Sequence, residues 1–216
     1  NVEQFVVANQ YAKTGTAADL VAMKGMTMGF GKQNSGTIGS NRVLLKGLGL
    51  DMAKDFKLMH GGYGPTADAL ANGQVAGIGA PSGPPTGAIT KLMASNAAKF
   101  TMLTVTPDEA KKMDGGRNLW VPYTIKAGTY PGQTKDLLTI AQPNFLAVNA
   151  DVSEEHVYLL TKAIYENLPF LQAIHKATKA MNVQAATAGL PVPLHPGAAR
   201  YYKEVGVAIP AHLMAK

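Results

Sequence analysis

Cysteine is absent from the 216 residues. That excludes disulfides and thiolate metal sites, and it is compatible with an oxidising compartment without requiring one. Long apolar runs are also absent, since no stretch approaches the roughly 20 residues needed to span a bilayer. Arginine is scarce, with only Arg42, Arg117 and Arg200. The net charge of +6 therefore comes from scattered lysines, which read as a solvated basic surface. No basic cluster is interleaved with aromatics, so nucleic acid is not an expected partner. His60, His156, His175, His195 and His212 show no metal-ligand spacing, and neither a metal nor a cofactor is expected. An initiator methionine and a signal peptide are missing too; Asn1 opens directly into QFVVAN, and the expectation is a processed or cut chain.

What is present is organised around residues 26–50, MTMGFGKQNSGTIGSNRVLLKGLGL. Residues 26–31 alternate apolar and small side chains, as a short buried strand does. GKQNSG then turns the chain, and an apolar-periodic run starts at Thr37, with Ile38, Val43, Leu44 and Leu45 on the inner face of a helix. Gly47 and Gly49 suit its end. Ser35 or Thr37 serves as a plain helix cap. Alternatively, the free N–H groups of the helix start and these hydroxyls form a small anion site, because a helix N-terminus carries about half a positive charge.

Around this unit the pattern predicts strands at 5–7, 52–59, 75–80, 100–105, 120–125, 137–140 and 144–148. Helices are expected at 16–22, 67–71 and 88–94, and after Thr106, where Pro107, Asp108 and Glu109 form a typical helix start. A second strand–turn–helix unit, with PSGPPTG as its turn, follows 75–80. Repeated units of this kind imply an α/β protein with a parallel sheet and ligands at the carboxyl ends of its strands. From Ser153 a long helical stretch begins, interrupted near Pro169, and the tail is a proline-pinned loop followed by a helix.

Catalysis has little support in the residues. Ser35 and Ser82 are turn serines outside any G-x-S-x-G elbow. GFGKQNSG matches neither G-x-G-x-x-G nor G-x-x-x-x-G-K-[ST], and His195 is held between prolines. A small α/β hydrolase or transferase using Ser35 or Ser82 is the alternative reading; it lacks a recognisable base. The chain is expected not to be an enzyme.

Several blocks together resemble the solute-binding receptors of TRAP transporters, of the TAXI type. They are residues 29–37 with SGT, ADALANGQVAGIGA followed by Pro81, AGTYPGQ, VYLLTKAIYEN, and LPVPLHPGAARYYKE. Two positions depart from the pattern: GKQN stands before SGT, and Ala76 stands where an acid is common. The resemblance implies a periplasmic-binding-protein-like fold of two lobes joined by hinge crossings. Residues 1–24 then belong to the first lobe and a crossing, 25–135 form the second lobe, and 136–216 supply the return crossing and C-terminal helices of the first lobe. It implies an extracytoplasmic, periplasmic receptor for a small organic anion such as glutamate or 2-oxoglutarate, which is passed to a TRAP permease membrane subunit. The ligand-binding residues it implies are Asn34, Ser35, Gly36, Thr37, Pro81, Ser82 and Gly83, with Tyr130 either touching ligand or packing the turn before Pro131. It further implies that the N-terminal part of the first lobe is lacking and that residues 1–216 alone bind with less than full affinity. Residues 5–7 and 144–148 are expected side by side as paired crossings. Leu159, Leu160, Ile164 and Leu171 are expected to pack against something outside 25–135.

Overall fold

A computed structural model describes residues 1–174 and 176–214, so His175 lies outside the described residues. The chain is an α/β protein that divides into two compact units, Asn1–Gln142 and Pro143–Lys216.

In the first unit, strands β1 (Phe5–Ala8), β2 (Thr27–Gly29), β3 (Lys57–Leu58), β4 (Gly77–Gly79) and β5 (Phe100–Leu103) form one sheet in the order β3-β2-β4-β1-β5. Strands β2, β3 and β4 are mutually parallel, with Met28 opposite both Leu58 and Gly77. Strand β1 enters between β4 and β5 and is antiparallel to both, so the sheet is mixed rather than wholly parallel. Its alternation divides the core: Phe5 and Val7 face one apolar cluster with Met28, Leu44, Leu45 and Met113, whereas Val6 joins Ile78, Leu70, Ile89 and Leu92 on the other face.

Helix α1 (Gly36–Gly47) follows β2 as expected, and Ser35 caps it by accepting from the Ile38 N–H. Residues 17–23 form a 3-10 helix capped by Thr16. The strand expected over 52–59 is instead a one-turn helix, α2 (Met52–Asp55), followed by the two residues of β3. Asp51 causes this by accepting from the N–H groups of Ala53 and Lys54, which makes a cap where the apolar spacing suggests extended chain. Helix α3 (Tyr63–Ala71) begins earlier than expected and takes in part of the glycine-rich turn. Helix α4 (Gly87–Asn96) follows β4, and α5 (Pro107–Asp114) opens with a complete capping box between Thr106 and Glu109. Strands β6 (Val121–Ile125) and β7 (Leu137–Ala141) form a separate antiparallel pair.

The second unit is helical among its described residues. Helices α6 (Glu154–Glu166), α7 (Leu168–Ile174) and α8 (Pro196–Glu204) are joined by 3-10 turns. Ser153 caps α6 through the His156 N–H, and the helix breaks at Asn167, two residues before Pro169. A tyrosine cluster holds α6 to α8: Tyr165 stacks on Tyr201 with ring centroids 6.1 Å apart, and Tyr158 donates to Glu204 at 2.6 Å. The inward face of α6 is Val157, Tyr158 and Thr161, whereas Leu159 and Leu160 are exposed, against expectation. The strand expected over 144–148 is absent; the segment is exposed and makes no ladder, because the second unit offers no strand edge to receive its backbone groups. Strand β1 is paired on both edges by β4 and β5.

Candidate functional site

Because β2, β3 and β4 are parallel, the chain leaves all three at the same end and enters helices α1, α3 and α4 there. The start of α1 rests on a close backbone approach. Gly31 has φ +119°, and a Cβ there would lie 2.7 Å from Thr37 Cγ2, so only glycine lets the Thr37 side chain lie over the strand end. Asn41, one turn further along α1 and fully buried, donates through Nδ2 to the Phe30 carbonyl at 2.9 Å and the Gly79 carbonyl at 3.3 Å. One helix side chain thus fastens the ends of two neighbouring strands. Its Oδ1 is buried and has no partner among the described residues.

Tyr63, the first residue of α3, closes the arrangement. Its hydroxyl lies 3.0 Å from Thr37 Oγ1 and donates to the Pro81 carbonyl at 2.5 Å. The loop after β2 and the loop after β4 are thereby joined through one half-buried phenol. Of the residues singled out from sequence, Thr37 and Pro81 are linked here through Tyr63. Ser35 is the cap of α1 and donates to the Lys32 carbonyl at 2.7 Å. Gly36 is exposed in the first turn of α1, and neither its N–H nor that of Thr37 finds an acceptor among the described residues. Asn34 is exposed at φ 58°, where the turn needs a left-handed residue. Asn34 and Ser35, with Gln33, Arg42 and His60, line an open polar depression of about 340 Å³.

The loop after β4 is held from beneath. Gln4 is buried in the approach to β1 and donates through Nε2 to the Ser82 carbonyl and Thr86 Oγ1, both at 3.1 Å. Ser82 and Thr86 share a short hydroxyl–hydroxyl bond. Gly83 is exposed at the loop tip. Tyr130 is buried, accepts from the Thr86 N–H at 2.9 Å and donates to Gln4 Oε1. Burial pushes its phenol pKa up, and the bonds to Thr86 and Gln4 pull the other way. Tyr130 thus supports the 81–86 loop from inside. Among the described residues no histidine bonds to Ser35 or Ser82, whose hydroxyls are committed to backbone carbonyls and to Thr86.

Gln4, Asn41 and Tyr63 were not singled out from sequence. The signal for Gln4 is a lone amide beside an apolar strand, and for Asn41 a polar residue on the inner stripe of α1. Tyr63 carries no local signal, because its partners stand 26 and 18 residues away.

Among the described residues no helix is long and apolar enough to cross a membrane, and no cluster of histidine and acidic side chains could hold a metal ion. The periplasmic aliphatic sulphonate-binding protein of Escherichia coli is 15% identical over 82% of this chain, with a TM-score of 0.33. A binding-protein component of an ABC phosphonate transporter from Pseudomonas aeruginosa is 15% identical over 94% of this chain, with a TM-score of 0.34. A glycine betaine/carnitine/choline ABC transporter structure is 14% identical over 95%, with a TM-score of 0.37. The chain spans only 43%, 66% and 54% of those three lengths, respectively. The sequence match is more extensive: residues 1–206 align with the NMT1-like family, and the chain belongs to that family.

Proposed function

We propose that the protein is an extracytoplasmic solute receptor that binds a small organic anion and presents it to a membrane permease. In the finer reading the anion is glutamate, 2-oxoglutarate or a related carboxylate, the permease is of the TRAP type, and the compartment is the periplasm. The observation that carries this reading is the Thr37–Tyr63–Pro81 chain, which makes one continuous wall from the loops after two parallel strands. That wall includes the Gly36 and Thr37 N–H groups, which have no acceptor among the described residues and suit a carboxylate. Residues 25–135 form most of one lobe of a hinged receptor, which β1 joins through its sheet, and residues 143–216 contribute to the other. Asn34, Ser35, Gly36, Thr37, Pro81, Ser82 and Gly83 line the ligand side, and Tyr130 backs it. Binding is expected to occur without turnover.

Thermal denaturation with a panel of dicarboxylates and amino acids tests the reading. A ligand present at 100 times its dissociation constant raises stability by about 2.7 kcal/mol, reversibly and with the ligand recovered unchanged. Absence of any shift across the panel, or conversion of the added compound, contradicts it.

A further inference from the structure

The hydroxyls around the proposed ligand wall have already given away their protons. The Pro81 carbonyl can only accept, so the single proton of Tyr63 points to it. The 3.0 Å bond between Tyr63 and Thr37 then has one possible direction, from the Thr37 O–H to the phenol oxygen. Ser35 is in the same position, because its proton goes to the Lys32 carbonyl while its oxygen accepts from Ile38. Ser82 and Thr86 give the same result whichever of them donates to the other. If Ser82 donates, the Thr86 proton has the Gly83 carbonyl, and if Thr86 donates, the Ser82 proton has the Ala80 carbonyl.

We propose that Tyr63 is a positioning residue that fixes Thr37 as a hydrogen-bond acceptor, so that the site selects an anion carrying a donor, such as an ammonium group, beside its carboxylate. This rests on the functional reading above and narrows its ligand class to amino-acid-like compounds over oxo acids. Thr37 Oγ1 has no other partner among the described residues, so its remaining lone pairs are free for a ligand. A carbonyl oxygen placed there meets lone pair against lone pair, whereas an N–H or O–H group is satisfied. Discrimination by an oriented polar group is large because the wrong ligand leaves buried groups unpaired.

Glutamate and 2-oxoglutarate are the probes: they share both carboxylates and differ at carbon 2, donor in one and acceptor in the other. Calorimetry of the wild-type protein is expected to show glutamate bound about tenfold more tightly, or better. Tyr63→Phe keeps the ring and frees the Thr37 proton, so the preference narrows mainly through tighter binding of 2-oxoglutarate. Thr37→Val removes the acceptor and brings glutamate down to the 2-oxoglutarate affinity. A purely structural role for Tyr63 weakens both ligands alike and leaves their ratio unchanged, which overturns the proposal. A wild-type protein that binds both equally, or prefers 2-oxoglutarate, overturns it as well while leaving the receptor reading in place. A wild-type protein that binds neither probe overturns this inference, while the receptor reading is decided by the wider thermal-denaturation panel.

Discussion

Thr37 owes its place to a neighbour without a side chain, Gly31, and its orientation to a phenol that is remote in sequence. Thr37→Ala is expected to weaken ligand binding by about 1–3 kcal/mol while the melting curve stays cooperative, since one hydrogen bond to a charged group is lost. Unchanged affinity in calorimetry removes Thr37 from the site. Glu3 makes a different residue-scale prediction. Burial raises its carboxyl pKa from 4.5 to about 7, opposed by the Trp120 indole N–H and the N-terminal charge, and its Oε2 has no partner among the described residues. The native state therefore holds the proton more tightly than the unfolded chain. The associated stability is fully present below pH 4.5, declines as pH rises, and is gone above about 7. Glu3→Gln should abolish that slope, making the variant relatively more stable at alkaline pH by about 3 kcal/mol. Parallel pH dependences for the two proteins in denaturant titrations contradict the assignment. The cap at Ser35 was legible because capping chemistry is local. Tyr63, Gln4 and Asn41 were not, because their partners come from other strands and loops.

Among the elements, α5 shows how far a local pattern can be trusted. Thr106, Pro107 and Glu109 predict a helix start, and the capping box is complete. Not legible was the second task of Glu109: its Oε1 also accepts from the Thr16 hydroxyl at 2.6 Å and the Ala18 N–H at 2.7 Å. One carboxylate thus serves the starts of two helices, with partners 93 and 91 residues away from it. Burial raises its pKa, but the Thr16 and Thr106 donors outweigh this and hold it below the ordinary value, so its contribution is lost as pH falls through the folded value. Glu109→Ala is expected to cost about 2–4 kcal/mol near neutral pH, more than a simple cap, in chemical denaturation. A loss below about 1 kcal/mol means that the long-range bonds contribute nothing. The reading fails where spacing is ambiguous or a partner is required. Met52 and Phe56 suit a strand or a helix, and Asp51 decides for the helix. The segment 144–148 is apolar enough for a strand, yet a strand needs a neighbour and the described residues of the second unit supply none.

On the scale of the whole molecule, the α/β class was legible from alternating strand and helix patterns, and the parallel run of β2, β3 and β4 from their repeated turns. The insertion of β1 between β4 and β5 was not, since nothing in FVVA says which edge it will join or in which direction. That insertion matters to function, because it brings Gln4 beneath the loop after β4 and so ties the chain's first strand to the proposed ligand wall. The central claim is that this wall receives an anion at the first turn of α1. Titrating isotope-labelled protein with glutamate, followed by amide proton–nitrogen correlation spectra, tests it most directly. The account predicts that the Gly36 and Thr37 amide protons move downfield and become slow to exchange, with Gly83 shifting alongside. Saturable binding that leaves Gly36 and Thr37 unmoved while other amides respond contradicts it.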